Sequence, residues 1–411
     1  MNAAQKIMQR LEALAEISNE SGKITRTFAS PAMRRANELV AQWMREAGMT
    51  TRVDAMGNLI GHYPGKTPDA KILLLGSHLD TVRDAGKFDG PLGIVLAIAC
   101  VENLHRQKIK PPFAIEVVGF SDEEGVRYQT TYLGSRAITG GLDARDLKRR
   151  DADGISVGEA LRNFGCNPAE LKSARMNPAK LIGYVEAHIE QGPVLEQEKI
   201  AVGIVTGIAG QSRCRIDFSG QSGHAGTVPM KLRKDALCAA AEFVLAVESL
   251  AQRTQGLVAT VGEICAEPGA SNVIPGKARL TLDVRHASDS IRRRALDGLK
   301  HTALKIARRR KLKLDLEEVH EAAAIVCSKK LSAQLALSVK RHQKRALHLP
   351  SGAGHDAAVM AKITPVAMLF VQCKGGVSHH PDESAKVEDV RVALDVLSDF
   401  LLRLAKTHEQ V

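Results

Sequence analysis

The chain has 411 residues, of which 44% are hydrophobic and 25% charged; this balance is typical of a globular protein and excludes a mainly disordered or fibrous one. No uncharged apolar stretch approaches the roughly 20 residues that span a bilayer, and the N-terminus is amphipathic rather than signal-like, so we expect no membrane contact and a cytoplasmic location. The formal net charge of +11 favours an anionic partner. Because one Trp, four Tyr and nine Phe are too few for a base-stacking surface, we expect no nucleic acid.

From residue 70 onwards, helical and extended patterns alternate, which predicts an α/β fold with helices on both faces of a sheet. Apolar runs at 71–77 and 114–121 predict buried strands, and the segment 90–105 between them has helical periodicity. Residues 143–178 are polar and interrupted by Gly and Pro, which predicts an irregular surface excursion. Further strands are predicted at 181–189, 200–206 and 366–371.

The middle of the chain has a different pattern. Its order of strand, helix, two strands, helix and strand is that of a ferredoxin-like α+β domain. We therefore predict a first domain, residues 1–210 and 326–411, with a mixed, mostly parallel sheet flanked by helices, and an inserted domain, residues 211–325. The segments of the insert are strands at 211–218, 257–265, 277–286 and 313–320 and helices at 234–252 and 288–310.

Polar residues follow the first predicted strand. His78 and Asp80 lie two positions apart and share a face, so the Asp80 carboxylate can orient the His78 imidazole. Asp89 lies in a turn directly before the predicted helix, where an acid can also serve as a helix cap. Taken singly, His78 is more often a structural histidine and Asp89 more often a helix cap than a functional residue.

Three carboxylates in a row, Asp122, Glu123 and Glu124, come directly after the second buried strand. Packing like charges there costs energy unless a cation compensates, although a solvated loop is the alternative. His188 lies on a further strand, and His379 lies in a Gly-rich loop after the last strand. Imidazoles and carboxylates thus occur together at strand ends, where ligands bind in α/β folds.

Such a mixed set suits a pair of divalent ions of borderline hardness, such as Zn²⁺, Mn²⁺ or Co²⁺. One carboxylate would bridge the ions about 3.5–4 Å apart, and a bridging water would become a nucleophile near neutral pH. The spare carboxylate of Glu123 would take its proton, so Glu123 and Asp80 are the catalytic candidates. The predicted ligands are His78, Asp89, Glu124, His188 and His379.

At these residues the sequence resembles the hydantoinase/carbamoylase family of dinuclear metal amidohydrolases, which includes N-carbamoyl-L-amino acid hydrolase, β-ureidopropionase and allantoate amidohydrolase. The motifs GSHLDTV, KFDGPLG, DEEG, EAHIEQG, SGHAGTVPM, SNVIPG, DVRH, SGAGHDA and GGVSHHPDE occur in the family's order. The resemblance implies a cis peptide bond after Asp89. It also implies one metal on His78 and His188, the other on Glu124 and His379, a bridge at Asp89 and a general base at Glu123.

Substrate contacts are implied in both domains. The resemblance makes the inserted domain a lid and dimerisation domain and the protein a homodimer. Arg285 can clamp a substrate carboxylate through two hydrogen bonds, with a surface salt bridge as the alternative. His380, beside His379, could compete as a metal ligand, but the motif favours His379. The implied substrate-binding residues are Gln191, His224, Asn272, Arg285, Gly352 and Ala353.

The implied reaction is hydrolysis of a non-peptide C–N bond in a small anionic ureido compound, either allantoate or an N-carbamoyl-L-amino acid. A metal-bound hydroxide would attack, with Glu123 as the general base. One alternative is a dipeptidase or aminoacylase of the wider superfamily, against which His188 argues, because peptidase branches usually place a carboxylate there. The other is a basic nucleic-acid-binding protein without catalysis, which the net charge alone suggests.

Overall fold

The structure is a computed structural model, and it describes residues 2–409. Within that range, no helix is both long and apolar enough to cross a membrane. The chain forms two compact units. The loop that carries Gly352 was predicted to belong to the first domain, but in the structure it belongs to the second unit. The first unit holds the chain up to Thr206, Cys327–Leu349 and the chain from Gly354, and the second holds Gly207–Val326 and Pro350–Ala353.

Helices and strands are numbered in chain order. The helices are α1 (Ala3–Ala15), α2 (Pro31–Glu46), α3 (Pro91–Arg106), α4 (Leu133–Thr139), α5 (Ala144–Leu147), α6 (Val157–Phe164), α7 (Val194–Gln197), α8 (Ala236–Arg253), α9 (Asp289–Arg309), α10 (Lys329–His342), α11 (Asp356–Met360) and α12 (Val387–Glu409). The strands are β1 (Thr50–Val53), β2 (Leu59–Tyr63), β3 (Ile72–His78), β4 (Ala114–Phe120), β5 (Leu181–Ile189), β6 (Val202–Ile208), β7 (Gly210–Ser219), β8 (Gly223–His224), β9 (Val258–Thr260), β10 (Ile264–Glu267), β11 (Val273–Ile274), β12 (Lys277–His286), β13 (Lys313–Ala322), β14 (Ile325–Val326), β15 (Leu347–Ser351) and β16 (Val366–Val371).

The large sheet has the strand order β1-β2-β4-β3-β5-β16-β6-β14, and β15 pairs with β6. The four central strands β4, β3, β5 and β16 run parallel to one another, whereas β1, β2 and β6 pair antiparallel. The predicted mixed α/β sheet is therefore confirmed. Because parallel strands end at one edge, His78 at the end of β3, the carboxylates after β4 and His188 near the end of β5 come to the same edge.

Helix α3 sets the position of the turn at that edge. It is apolar on nearly all sides and buried along most of its length, as expected of a helix packed within a core. Pro91 at its first position has the backbone angle that a first helical turn requires. A Cβ at Gly93 would lie 2.2 Å from the carbonyl oxygen of Ala187 on β5. Glycine therefore allows α3, and with it the preceding turn at Asp89, to approach the sheet closely.

The segment 143–178 is more ordered than the sequence suggested. Helix α6 buries Val157, Ala160, Leu161 and Phe164, which recur at the spacing of one helix face. Its apolar side joins a small separate core that includes Phe28. The pattern is only eight residues long, and Gly154 before it and Gly165 and Pro168 after it obscure it.

The second unit has an antiparallel sheet of order β10-β12-β7-β13, with β9 paired to β12. With the two-residue strands β8 and β11 set aside, its chain order around α8 and α9 follows the predicted β-α-β-β-α-β pattern, except that the single strand predicted at 257–265 is divided into β9 and β10. Both helices share one core with the buried residues of β7 and β12, and this core includes Phe243 of α8 and Phe218 of β7. The alternate residues of these strands, such as Arg213 and Arg215, form a polar face of the same sheet.

Candidate metal centre

Asp89 lies at the centre of the predicted ligand set. Its Oδ1 atom is 3.2 Å from His188 Nε2 and 3.8 Å from His78 Nε2. Its Oδ2 atom is 3.0 Å from His379 Nε2, which is in turn 3.5 Å from Glu124 Oε1. The structure thus brings all five residues together as two clusters that share one carboxylate, and the ligand atoms of each cluster lie within 4.8 Å of one another.

Backbone carbonyls fix the orientation of two of the imidazoles. Nδ1 of His78 is 3.0 Å from the carbonyl oxygen of Asp80, and Nδ1 of His188 is 3.0 Å from that of Ile189. This pairing places the Nε2 atom of each ring towards Asp89, as in histidines that bind metals. The Asp80 carboxylate, which was expected to orient His78, does not hydrogen-bond the ring: its Oδ1 lies 3.8 Å from Nδ1, at ion-pair distance only. That carboxylate instead accepts the backbone N–H groups of Glu123 and Glu124, both at 3.1 Å.

Asp122, Glu123 and Glu124 are crowded by like charges. Burial and then the Glu124 carboxylate raise the pKa of Glu123 well above its usual value. Burial and then Asp89 raise the pKa of Glu124 to about 8. Both carboxylate oxygens of Asp122 are buried without a hydrogen-bond partner. A divalent cation would relieve this crowding, so the donor set fits a metal.

A second layer of side chains holds Asp89. Ser378 Oγ donates to Asp89 Oδ2 at 2.7 Å and is 3.0 Å from Glu383 Oε2. Glu383 Oε1 accepts the backbone N–H groups of Phe88 and Asp89 at 2.7 and 3.0 Å. Gln191 Nε2 also donates to Asp89 Oδ2, at 3.1 Å. Sequence reasoning gave Ser378 and Glu383 no role, although both lie in the GGVSHHPDE motif.

Several residues at the site have strained backbones. Asp122, Gln191 and His379 have φ values of 56°, 58° and 57°, in the left-handed region that non-glycine residues rarely adopt. His380 lies next to His379, but its Nδ1 accepts the backbone N–H of Asp382 at 3.2 Å, and it is absent from the clusters. The peptide bond after Asp89 is not cis, so that expectation was wrong; among the described residues the cis bond is at Glu267–Pro268.

The second unit carries the other predicted substrate residues. β8 pairs with β11 so that His224 lies opposite Val273, and the N–H of Ala225 donates to the carbonyl oxygen of Asn272 at 2.9 Å. This small sheet brings His224 and Asn272 together. The His224 side chain is exposed, and its Nδ1 accepts the N–H of Gly226 at 3.0 Å.

Arg285 lies elsewhere in the second unit. It donates to both carboxylate oxygens of Asp283 and to the carbonyl oxygen of Gly352, so the salt bridge that the sequence left open is present. Ser351 Oγ is 3.2 Å from the nitrogen of Ala353 and 2.9 Å from its oxygen, which fixes the adjacent turn.

Comparison with known proteins identifies the family. Residues 74–403 match the peptidase family M20/M25/M40. The chain belongs to this family. It is 42% identical to allantoate deiminase 1 of Glycine max, over 96% of the chain and 88% of that relative. It is 40% identical to the N-carbamoyl-L-amino acid amidohydrolase of Geobacillus stearothermophilus, over 99% of the chain and 100% of that relative. A crystal structure of an amidase of the hydantoinase/carbamoylase family from Burkholderia multivorans has a TM-score of 0.92 and 31% identity, covering 98% of both chains.

The predicted hydantoinase/carbamoylase relationship within the M20 family is therefore confirmed. M20 enzymes depend on metal, and the clusters around Asp89 are able to bind it. A further candidate cluster consists of Glu186, His188 and His355, and it shares His188 with the first. Glu186 is already hydrogen-bonded to Ser77, to Tyr184 and to the N–H of Ala357, which is typical of a structural carboxylate.

Proposed function

We propose that the protein hydrolyses the non-peptide C–N bond of a small anionic ureido compound, either allantoate or an N-carbamoyl-L-amino acid. The observation that carries the proposal is the pair of clusters that share Asp89, with Glu123 beside them. The near-equal similarity to an allantoate deiminase and to an N-carbamoyl-L-amino acid amidohydrolase supports this substrate class. The nucleic-acid-binding alternative has only the net charge of +11 in its favour, and His188 argues against the peptidase alternative.

The donor set supports two divalent ions, Zn²⁺, Mn²⁺ or Co²⁺. His78 and His188 would hold one, Glu124 and His379 the other, and Asp89 would bridge them. When bound, such ions polarise a carbonyl group and lower the pKa of water. Ser378 and Glu383 would keep the bridging carboxylate in place, because they hold its side chain and its backbone.

Glu123 would act as the general base and then as the general acid. A carboxylate oxygen of Glu123 lies within 4.8 Å of the potential metal-ligand atoms of His78 and Glu124. The Asp80 carboxylate accepts the backbone N–H of Glu123, so the Glu123 side chain stays beside the ligands. It would accept the proton of the attacking water and return it to the leaving nitrogen.

The substrate would be held by hydrogen bonds on several sides. Gln191 Oε1 is buried without a partner, while its Nε2 is bound to Asp89, so this oxygen can accept an N–H of the ureido group. We expect Arg285 to bind the substrate carboxylate, and His224 and Asn272 to donate to the oxyanion. Gly352 and Ala353 would add backbone contacts.

We further propose that the second unit is the lid and the dimerisation domain of a cytoplasmic homodimer. Exposed apolar side chains on that unit support the dimer: Met230 is 74% exposed, Leu232 72% and Leu245 65%. Sedimentation equilibrium should give twice the mass of the 411-residue chain. A monomer at micromolar concentration would contradict this part of the proposal.

The test of the activity is ammonia release by the metal-replenished protein. Allantoate and a panel of N-carbamoyl-L-amino acids are compared side by side, each with and without a chelator. We expect chelator-sensitive turnover of one class. If metal is bound and neither class is turned over, the proposed substrate class is wrong.

A further inference from the structure

The guanidinium group of Arg285 is held on two sides within the second unit. Its Nε donates to Asp283 Oδ1 at 2.9 Å and its Nη2 to Asp283 Oδ2 at 3.0 Å. Its Nη1 donates to the carbonyl oxygen of Gly352 at 2.8 Å. Asp283 and Arg285 lie two positions apart on β12, so their side chains share the polar face of the sheet.

These contacts leave part of the guanidinium group for a ligand. Arginine has five N–H groups, and Asp283 and Gly352 use three of them. One N–H remains on each terminal nitrogen, and two such donors match the two oxygens of a carboxylate. The Arg285 side chain is 30% exposed. It lines a cavity of about 710 Å³ together with Asp283, Gly352, Arg213 and Val258.

Asp283 is itself firmly placed. Besides Arg285, it accepts hydrogen bonds from Gln211 Nε2 at 2.6 Å and from Arg213 Nε at 3.0 Å, both on the neighbouring strand β7. Two guanidinium groups thus face one carboxylate, which leaves a net positive charge beside the cavity. Removing Asp283 would leave Arg213 and Arg285 to repel each other, and the long Arg285 side chain would lose the acceptor that orders it.

We propose that Asp283 is a positioning residue that, with the Gly352 carbonyl, presents the two remaining N–H groups of Arg285 to the carboxylate of the substrate. The pair makes the site selective for carboxylate-bearing ureido compounds over their uncharged amides. This inference rests on the proposed function. It differs from a purely structural salt bridge, because a structural pair would affect folding without affecting this selectivity.

The test compares Asp283→Ala, Asp283→Asn, Arg285→Ala and the Asp283→Ala/Arg285→Ala double variant in the metal-replenished enzyme. Asp217→Ala is the matched control, since Asp217 pairs with Arg279 on the same sheet at 3.1 Å and has no contact with Arg285. The kcat and KM values are measured for the substrate that is turned over and for its carboxamide. Thermal melting checks that each variant folds.

We expect Asp283→Ala to raise KM for the carboxylate substrate about 10- to 100-fold, with kcat changed less than threefold. The KM of the carboxamide should change less than twofold, and Asp217→Ala should change neither. Asp283→Asn should be intermediate, since one acceptor oxygen remains. The double variant should be no worse than Arg285→Ala, because residues that act through one another are not additive.

Several results would overturn the inference. An Asp283→Ala enzyme with wild-type KM refutes it, and so do equal effects on carboxylate and carboxamide or additive effects in the double variant. Should Asp283→Ala not fold, Asp283→Asn gives the same comparison. Binding of N-carbamoylglycine by calorimetry separates the two proposals. A metal-replenished wild-type protein that binds it but hydrolyses neither allantoate nor any N-carbamoyl-L-amino acid refutes the proposed reaction, and weaker binding by Asp283→Asn still measures the positioning.

Discussion

Gly90 gives the sharpest test of how the turn before α3 holds the metal ligands. It directly follows Asp89 and has φ 85° and ψ −63°, a conformation that side chains rarely allow. A Cβ there would lie 2.5 Å from Nδ1 and Cε1 of His78 and 2.6 Å from the His78 carbonyl oxygen. Because Asp80 fixes that imidazole through its carbonyl oxygen, Gly90→Ala should displace the turn that carries Asp89.

Two additive costs determine how much Gly90→Ala lowers the free energy of unfolding. Backbone strain at such an angle costs about 1–3 kcal/mol, and overpacking a dense region costs about 1–3 kcal/mol more. We therefore expect Gly90→Ala to lower the free energy of unfolding by about 2–6 kcal/mol. Displacement of Asp89 and His78 should weaken metal binding about 10- to 100-fold.

Urea unfolding of the metal-free protein and calorimetric titration with Zn²⁺ measure the two effects. Gly22→Ala is the control, because Gly22 also has a positive φ of 71° but nothing within 4 Å of the added Cβ. It should show backbone strain alone and unchanged metal affinity. Equal losses of stability in the two variants, or unchanged Zn²⁺ affinity in Gly90→Ala, would refute the reasoning.

Three further predictions concern the same site. Glu123→Gln should retain its metals by elemental analysis and lose about 10²- to 10⁴-fold in turnover, because an amide cannot take the proton; full turnover would contradict the assignment. The folded metal-free protein holds a proton on Glu124 up to about pH 8, whereas an unfolded Glu releases it near pH 4.3. The free energy of unfolding of the metal-free protein in urea should therefore fall as pH rises between these values, and bound Zn²⁺ should remove this pH dependence. A free energy of unfolding that does not change with pH in the metal-free protein would contradict the prediction. Glu383→Ala leaves the N–H groups of Phe88 and Asp89 unpaired, so we expect a loss of about 1–3 kcal/mol in urea unfolding and about tenfold weaker Zn²⁺ binding; unchanged binding would show that Glu383 does not support Asp89.

The sequence predicts best what depends on strand order. His78, Glu124 and His188 occur where apolar runs end, and parallel strands must bring such ends to one edge. The family motifs then supply His379, which lies in a loop whose course no local pattern fixes. The two-residue spacing of His78 and Asp80 shows only a shared face, and it could not show that a carbonyl oxygen rather than a carboxylate meets the ring.

What the sequence missed depends on contacts between distant residues. Glu383 binds the backbone at Phe88 and Asp89, almost 300 positions earlier in the chain. Nothing local to an acid in a Gly-rich loop indicates such a partner. Asp283 also depends on a distant residue. Its carboxylate binds Arg213 on the neighbouring strand as well as Arg285, two positions along its own strand. Both are visible only once the chain is folded.

The division of Asp89 between the two clusters links their occupancy. Its two oxygens face different sets of ligands, but they belong to one rigid carboxylate that cannot turn towards one cluster without turning away from the other. The affinity of each cluster for a cation therefore depends on the state of the other, and this coupling must be equal in both directions. A metal titration of this protein should consequently deviate from the curve of two independent sites.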